Sequence, residues 1–324
     1  MQPNLLLPFF STDFRRVKAI YYLLTGKRTI SNLSAGLEYG LLPYFRIFPK
    51  LSQADYFKAL AELTAQHYLV QRTDEQPVAR LTTTGKLAKT VLCQQDYWLH
   101  SVNYFEIGDW QIQWEKLMLS VQVISNYRHH ITKYIPTTNH PLLLREIRHW
   151  FYRVGAHQQQ EFIDSLAESI AQLPKLAQTI LVNSLHSETF AGVSDFQLAQ
   201  DLQLTGAEFQ LARIEAISSL MTLILAEDPA RVLPSLFQVP EQTLSRSAQR
   251  TYDLVQQGKS WSQIQQMSRQ KEGTLKEHLL EAAILLTDFD FKAPLVRQIG
   301  QEDPEGFFAQ KLTQIKSLKE GVSL

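Results

Sequence analysis

Apolar positions in the first ninety residues change their period twice. Phe14, Val17, Tyr21 and Leu24 recur at helical spacing, and Gly26 follows where such a helix would stop. The glycine-punctuated stretch "SNLSAGLEYGLLPYF" predicts a short or irregular helix. Ser52 then opens a stronger one in "LSQADYFKALAELTAQHYLV", with Asp55 in the first turn, where the helix dipole favours an acid. Its buried stripe is expected to be Tyr56, Leu60, Leu63 and His67. Beyond it the period shortens to two. "YLVQR" and "PVARLTT" read as strands separated by the polar turn "TDEQ", and Gly85 ends them before a further helix. Helices, a longer helix and then a two-stranded ribbon follow the element order of a winged helix.

From about residue 94 to 193 the pattern is helical and rich in aromatics. Trp98, Trp110, Trp114, Tyr127, Tyr134, Trp150, Phe151 and Tyr152 are expected mostly in the core or between helices, and Pro136, Pro141 and Pro174 mark helix boundaries. At 194–226 a helix pair is expected, with capping boxes at Ser194/Gln197 and Thr205/Glu208. The stretch "GKSWSQIQQMSRQKEGTLKEHLLEAA" repeats that grammar with Ser260/Gln263 and Thr274/Glu277. In each box a hydroxyl accepts from an orphan amide while the longer side chain reaches back, so local chemistry fixes the helix start.

"LSRSAQRTYDLVQQG" supplies a preceding helix with Ala248, Tyr252 and Val255 inward and Gly258 closing it. Trp261, Ile264 and Met267 form the expected inner face of the first helix of the pair, and Leu275, Leu279, Ala282 and Leu286 that of the second. Thr274, Lys276, Glu277, Leu280 and Glu281 are its expected outward positions. Three helices in this order form a minimal helix-turn-helix. Pro229, Pro234 and Pro240 mark 229–240 as a linker or boundary, and "PEGFFAQKLTQIKSLKE" predicts one or two closing helices.

With 324 residues the chain has room for two or three domains. The fold expected is mainly α: a winged helix with a small hairpin wing at 1–93, a helical middle at 94–228 that includes the pair 194–226, and a helix-turn-helix module with a helical tail at 241–324. No run approaches the roughly 18–20 apolar residues of a membrane helix. The start lacks a basic n-region and a small-residue cleavage site. Cys93, the only cysteine, cannot form an internal disulfide and is expected as a buried thiol. A cytoplasmic protein is therefore expected.

Charge changes the picture where composition does not. The 32 basic and 32 acidic residues cancel, which argues against a uniformly positive surface. Residues 1–93, however, carry twelve Lys and Arg against six acids, a net of +6, while residues 194–240 carry a net of −4. Phosphate is therefore most favoured in the first segment. Residues 241–292 hold seven basic and seven acidic groups, which leaves little counterion-release affinity there.

Two motifs carry a family likeness. "ARLTTTGKLA" resembles the Leu-Thr-x-x-Gly close of the wing in many winged-helix proteins. Gly258, Ser260, Ile264, Thr274, Leu275, His278 and Leu279 resemble the helicase-type helix-turn-helix module found after the catalytic core of some RecQ helicases, with Leu275 where isoleucine is usual. The whole order of elements resembles the YpbB-type proteins of Gram-positive bacteria, which are often encoded beside a RecQ-type helicase. A non-enzymatic, DNA-associated accessory protein is expected, and the resemblance implies that it works with a RecQ-like helicase in DNA repair or replication.

Candidate DNA contacts follow. Gln53 and Lys58 lie on or near the outward face of the 52–68 helix, Arg72, Arg80 and Lys86 flank the wing, and Arg15, Arg16 and Lys18 add to the basic segment. In the C-terminal pair Lys271, Thr274, Lys276 and His278 would meet DNA, while Glu277 and Glu281 would repel its backbone; packing or docking is the stronger expectation there. The pair at 194–226 is acidic, and its long helix is apolar through Leu211, Ile214, Ile217, Met221 and Ile224, as a core helix would be.

No cofactor, metal or small-molecule site is predicted. "DLVQQGKS" ends like a phosphate-binding loop, but Asp253 stands where the first glycine belongs. Glu146 and His149 form one Glu-x-x-His where a bridged metal pair in a helical bundle needs two, and the adjacent His129 and His130 make poor joint ligands. The alternative function is a protein-binding adaptor without affinity for nucleic acid.

Overall fold

The computed structural model of the chain describes residues 2–72, 76–237 and 243–321. It is mainly α-helical, and among the described residues strands are confined to one small sheet. The chain opens in a 3-10 turn, Pro3–Phe9, that buries Leu5, Leu6, Leu7 and Phe9. Strand β1 (Arg15–Arg16) runs into α1 (Val17–Thr25), which ends on Gly26 at φ 85°, a left-handed conformation that suits glycine. Next come α2 (Ile30–Glu38), capped by the Thr29 hydroxyl, and α3 (Gln53–Ala65), capped by Ser52, which accepts from the Asp55 amide. Strands β2 (Leu69–Arg72) and β3 (Val78–Leu81) form the expected ribbon; Thr73, Asp74 and Glu75 of its turn lie outside the described residues. β1 pairs antiparallel with β3, giving the strand order β1-β3-β2.

Helix α4 (Thr83–Cys93) corrects the role expected of Gly85, which sits within its first turn rather than ending the ribbon. The cap is Thr82: its hydroxyl accepts from the Gly85 amide at 3.0 Å and donates to the His67 carbonyl at 2.7 Å. A Cβ at position 85 would stand 2.0 Å from the Tyr68 carbonyl oxygen, so glycine lets the helix start touch the preceding backbone. His67 is likewise corrected. It lies past the end of α3 at φ 59° and is exposed, while Tyr56, Leu60 and Leu63 are buried as expected.

The chain continues through α5 (Tyr104–Ile107), α6 (Trp110–Arg128), α7 (Pro141–Arg153), α8 (Ala156–Ala171), α9 (Lys175–Ser184), α10 (Asp195–Asp201), α11 (Gly206–Leu225) and α12 (Val232–Leu236). The C-terminal helices are α13 (Arg246–Gln256), α14 (Trp261–Ser268), α15 (Glu272–Leu285), α16 (Pro294–Glu302) and α17 (Phe307–Glu320). No helix among the described residues is long and apolar enough to cross a membrane.

Contacts divide the chain into two compact units. One comprises Met1–Asp13, Ser52–Gln71 and Arg80–Val239; the other comprises Phe14–Leu51, Arg72–Ala79 and Pro240–Leu324. Residues 1–93 thus contribute to both.

In the first unit α11 is the central helix, packed against α9, α6, α8, α5, α10 and α12. It is apolar nearly all round, as a fully enclosed helix must be. Its one deeply buried acid, Glu215, is satisfied by the backbone amides of His100 and Ser101 at 2.8 and 3.0 Å. The Thr205/Glu208 box forms, and Tyr97 donates to the Glu208 carboxylate at 3.1 Å. Burial would raise that carboxyl, but the bonds from Thr205 and Tyr97 hold it below the usual range; burial and the same contact push Tyr97 up to about 12.

The proline-marked stretch is not linker throughout. Val232, Leu233, Pro234 and Leu236 of α12 are buried, with α12 against α8; residues 238–240 lie outside the described residues. The aromatic expectation holds for Trp98 and Trp150, which are buried. It is corrected for Tyr127, Tyr134 and Tyr152, which are exposed.

In the second unit α15 is the hub, packed against α13, α17, α2 and α14. Its Glu281 accepts from Arg28, in the turn that leads into α2, at 2.6 Å and from the Ser245 amide at the start of α13 at 2.6 Å, and Arg28 also donates to the Thr243 carbonyl. One buried carboxylate therefore holds three parts of the unit together.

Candidate nucleic-acid interface

Sequence periodicity decides which basic groups reach solvent in the first candidate region. On α3 the buried row Tyr56, Leu60 and Leu63 turns Lys58 outward, and Gln53 is exposed at the first helical position. On β3 alternation buries Ala79 and Leu81 and exposes Arg80 between them. Lys86 is exposed on α4. Gln53, Lys58, Arg80 and Lys86 all belong to the first unit. Arg72 is exposed as well but belongs to the second unit, where its guanidinium lies 4.4 Å from the centroid of the Phe14 ring. The exposed acids Asp55 and Glu62 on α3 temper the positive potential without removing it.

Much of the remaining N-terminal charge is engaged in structure. Arg15 donates to the Tyr39 carbonyl at 2.9 Å and lies over the Tyr39 ring, and Arg16 bonds Ser31. Lys89 donates to the Phe10 carbonyl at 2.9 Å, and Arg28 is held by Glu281. The net charge of the segment therefore overstates what a polyanion would meet.

The second candidate region does fold as helix, turn and helix. The Ser260/Gln263 box forms, and Arg269 at φ 56° ends α14. The expected outward face of α15 nevertheless needs correction at several positions. Thr274 is exposed but caps nothing, because α15 begins at Glu272 with Lys271 at its N-cap. Starting there aligns Glu272 with the helix dipole and with Lys276 one turn on, at 2.6 Å. Lys276 is also 5.9 Å from the centroid of the Phe308 ring. His278, Leu280 and Glu281 are buried. His278 shares a 2.8 Å hydrogen bond with the Thr251 hydroxyl, and burial lowers its pKa although Glu281 and Glu277 act the other way. It cannot touch DNA without the core opening. On α14 the exposed Met267 leaves the expected inner face to Trp261 and Ile264, which are buried. What α15 shows to solvent lies near its N-terminal end: Lys271, Thr274 and Glu277, with Glu272 half-buried beside them.

Elsewhere, Cys93 is half-buried at the end of α4, and burial raises its thiol pKa against the opposing effect of Lys89. Glu146 is ion-paired with the buried Lys116. No group of three or more His, Cys, Asp or Glu among the described residues is placed to hold a metal ion. Sequence reasoning also passed over a row of basic and aromatic side chains on α7; the signal was the arginine spacing within "LLLREIRHWFYR".

The chain is similar to Protein YpbB of Bacillus subtilis (strain 168), with 22% identity over 276 residues that cover 83% of this chain and 78% of that protein. This likeness supports the YpbB-type resemblance over most of the chain, well beyond the C-terminal motif. No family model and no solved structure matches it.

Proposed function

We propose that the protein is a non-enzymatic, DNA-associated accessory factor whose first unit touches duplex backbone. The observation that carries the reading is the outward placement of Lys58, Arg80 and Lys86 on α3, β3 and α4 of that unit. Helix α3 followed by the ribbon has the order of a winged helix, with Gln53 beside the cations as a polar contact. Backbone neutralisation by such groups supplies affinity without sequence preference. The C-terminal helix-turn-helix then serves as a packing and docking module, since its second helix is the hub of its own unit. Partnership with a RecQ-like helicase, in repair or replication, rests on the resemblance.

Fluorescence anisotropy with a labelled duplex at two salt concentrations tests this. Wild type should bind in a salt-sensitive manner. A Lys58→Ala/Arg80→Ala/Lys86→Ala variant should bind more weakly, with a salt slope shallower by roughly 0.9 for each phosphate it no longer neutralises. Arg72→Ala, tested alone, reports whether the cation beside Phe14 adds to the binding. Absence of duplex binding at low salt, alongside capture of the helicase, would favour the adaptor reading. The burial of α15 is the observation on that side.

A further inference from the structure

We infer that α7, with the segment leading into it, forms a second binding surface whose ligand is single-stranded nucleic acid. Residues 127–157 carry Arg128, Lys133, Arg145, Arg148 and Arg153 against the single acid Glu146, a net of +4, and the stretch also holds five of the chain's nine histidines. Glu146 is already paired with Lys116, so it does not offset the outward charge.

Helical spacing gathers these groups. Leu143, Ile147 and Trp150 are the buried row of α7, which turns Leu142, Arg145, Arg148, His149, Tyr152 and Arg153 to solvent. The helix has 13 residues, so this face is about 20 Å long. Of the other arginines of the first unit, Arg213 is held by Asp195 and Arg231 by Glu227, while Arg80 stands exposed on β3.

Aromatic rings are interleaved with the cations. Tyr152 is 80% exposed. Tyr127, also exposed, packs edge-on against Phe151 with centroids 5.1 Å apart. Tyr134 is exposed close enough to Arg148 for the guanidinium charge to oppose the upward effect of burial on its hydroxyl. The segment that presents Tyr134 and Ile135 is fixed to α6: the Gln122 side chain donates to the Ile135 carbonyl at 3.0 Å and accepts from the Thr137 amide at 2.9 Å. The Thr138 hydroxyl adds a bond to Glu115 at 2.8 Å. The backbone beside Tyr134 is therefore anchored to α6, and the Tyr127 ring rests on Phe151.

Cations alone would suit any polyanion. Exposed rings held between them suit one that also carries flat π faces, and unpaired bases offer those faces while duplex stacks hide them. These groups lie on elements other than α3, β3 and α4, which carry Lys58, Arg80 and Lys86, and the inference does not depend on the role of that trio.

The test uses the full chain, labelled oligo(dT), a duplex of equal length and inorganic polyphosphate as competitor. Arg145→Ala/Arg148→Ala/Arg153→Ala should bind oligo(dT) roughly tenfold more weakly with a shallower salt slope. Tyr152→Ala should weaken oligo(dT) by roughly fivefold or more while leaving competition by polyphosphate unchanged. Lys58→Ala/Arg80→Ala/Lys86→Ala should leave oligo(dT) binding intact, which separates this surface from the duplex contact. All these positions are exposed, and an unchanged melting curve checks that each variant folds; Arg148→Gln replaces the triple variant should that one melt early. Equal oligo(dT) affinity for wild type and the α7 arginine variant would overturn the inference. So would a parallel drop in oligo(dT) and polyphosphate binding on Tyr152→Ala, or tighter binding of acidic phospholipid vesicles than of oligo(dT) that depends on the same arginines.

Discussion

Helices α7 and α15 are of similar length, 13 and 14 residues, yet they use their polar groups in opposite ways. α15 lies in the motif that resembles a DNA-reading pair, and it turns His278 and Glu281 into the core of its unit. α7 lies in a stretch without a recognisable motif, and it keeps three arginines in solvent. The difference is set by the number of neighbours. Helices α13, α17, α2 and α14 surround α15, which needs internal partners for its polar groups; α7 buries only one row against its unit and leaves the opposite face wet. A helix-turn-helix pattern fixes where helices start, whereas packing decides which face remains to meet a ligand.

The contrast can be broken at α15 first. Glu281→Ala removes the carboxylate that Arg28 and the Ser245 amide share, and it should cost about 3 kcal/mol in chemical denaturation, whereas Arg148→Ala on α7 should lie within about 0.5 kcal/mol of wild type. Equal effects would mean that Glu281 is not the tie between Arg28, the start of α13 and α15. Next, Ser260→Ala should cost about 1 kcal/mol, because its hydroxyl caps α14. Smaller still is a pH effect. Burial lowers the His278 pKa, so the unfolded chain takes up the proton first as acid is added. Stability contributed by neutral His278 is complete above the unfolded value of about 6.5 and is lost as pH falls from there toward the lowered folded value. Melting followed from pH 7.5 to 5 should decline less steeply in His278→Gln than in wild type. The smallest change is Thr274→Ala, within about 0.5 kcal/mol, since that hydroxyl caps nothing. A loss near 1 kcal/mol would place the start of α15 at Thr274.

Local chemistry was the most legible part of the sequence. The Ser52, Thr205 and Ser260 caps, the stop at Gly26 and the ribbon all depend on residues a few positions apart, and the structure has each of them. What escaped depends on partners distant in the chain. Arg28 and Glu281 are 253 residues apart, so no window could show that Glu281 faces inward. β1 has only two residues and exists because β3 is there to pair with it. Thr274/Glu277 has the letters of a capping box, but Glu272 and Lys276 extend the helix upstream of it. Among the candidate DNA-binding residues, Gln53, Lys58, Arg72, Arg80, Lys86, Lys271 and Thr274 are exposed, Lys276 is half-buried in an ion pair, and His278 is buried. Exposure of the first group followed from periodicity of two and 3.6, whereas the last two depended on tertiary neighbours.

The most direct measurement compares the salt dependence of duplex affinity after charge removal at two places. Lys58→Ala/Arg80→Ala/Lys86→Ala should weaken binding and flatten the slope of log K against log salt, while Lys271→Ala/Lys276→Ala should leave both nearly unchanged. The reverse pattern, with α15 carrying the slope and α3, β3 and α4 indifferent, would contradict the assignment of duplex contact to the first unit.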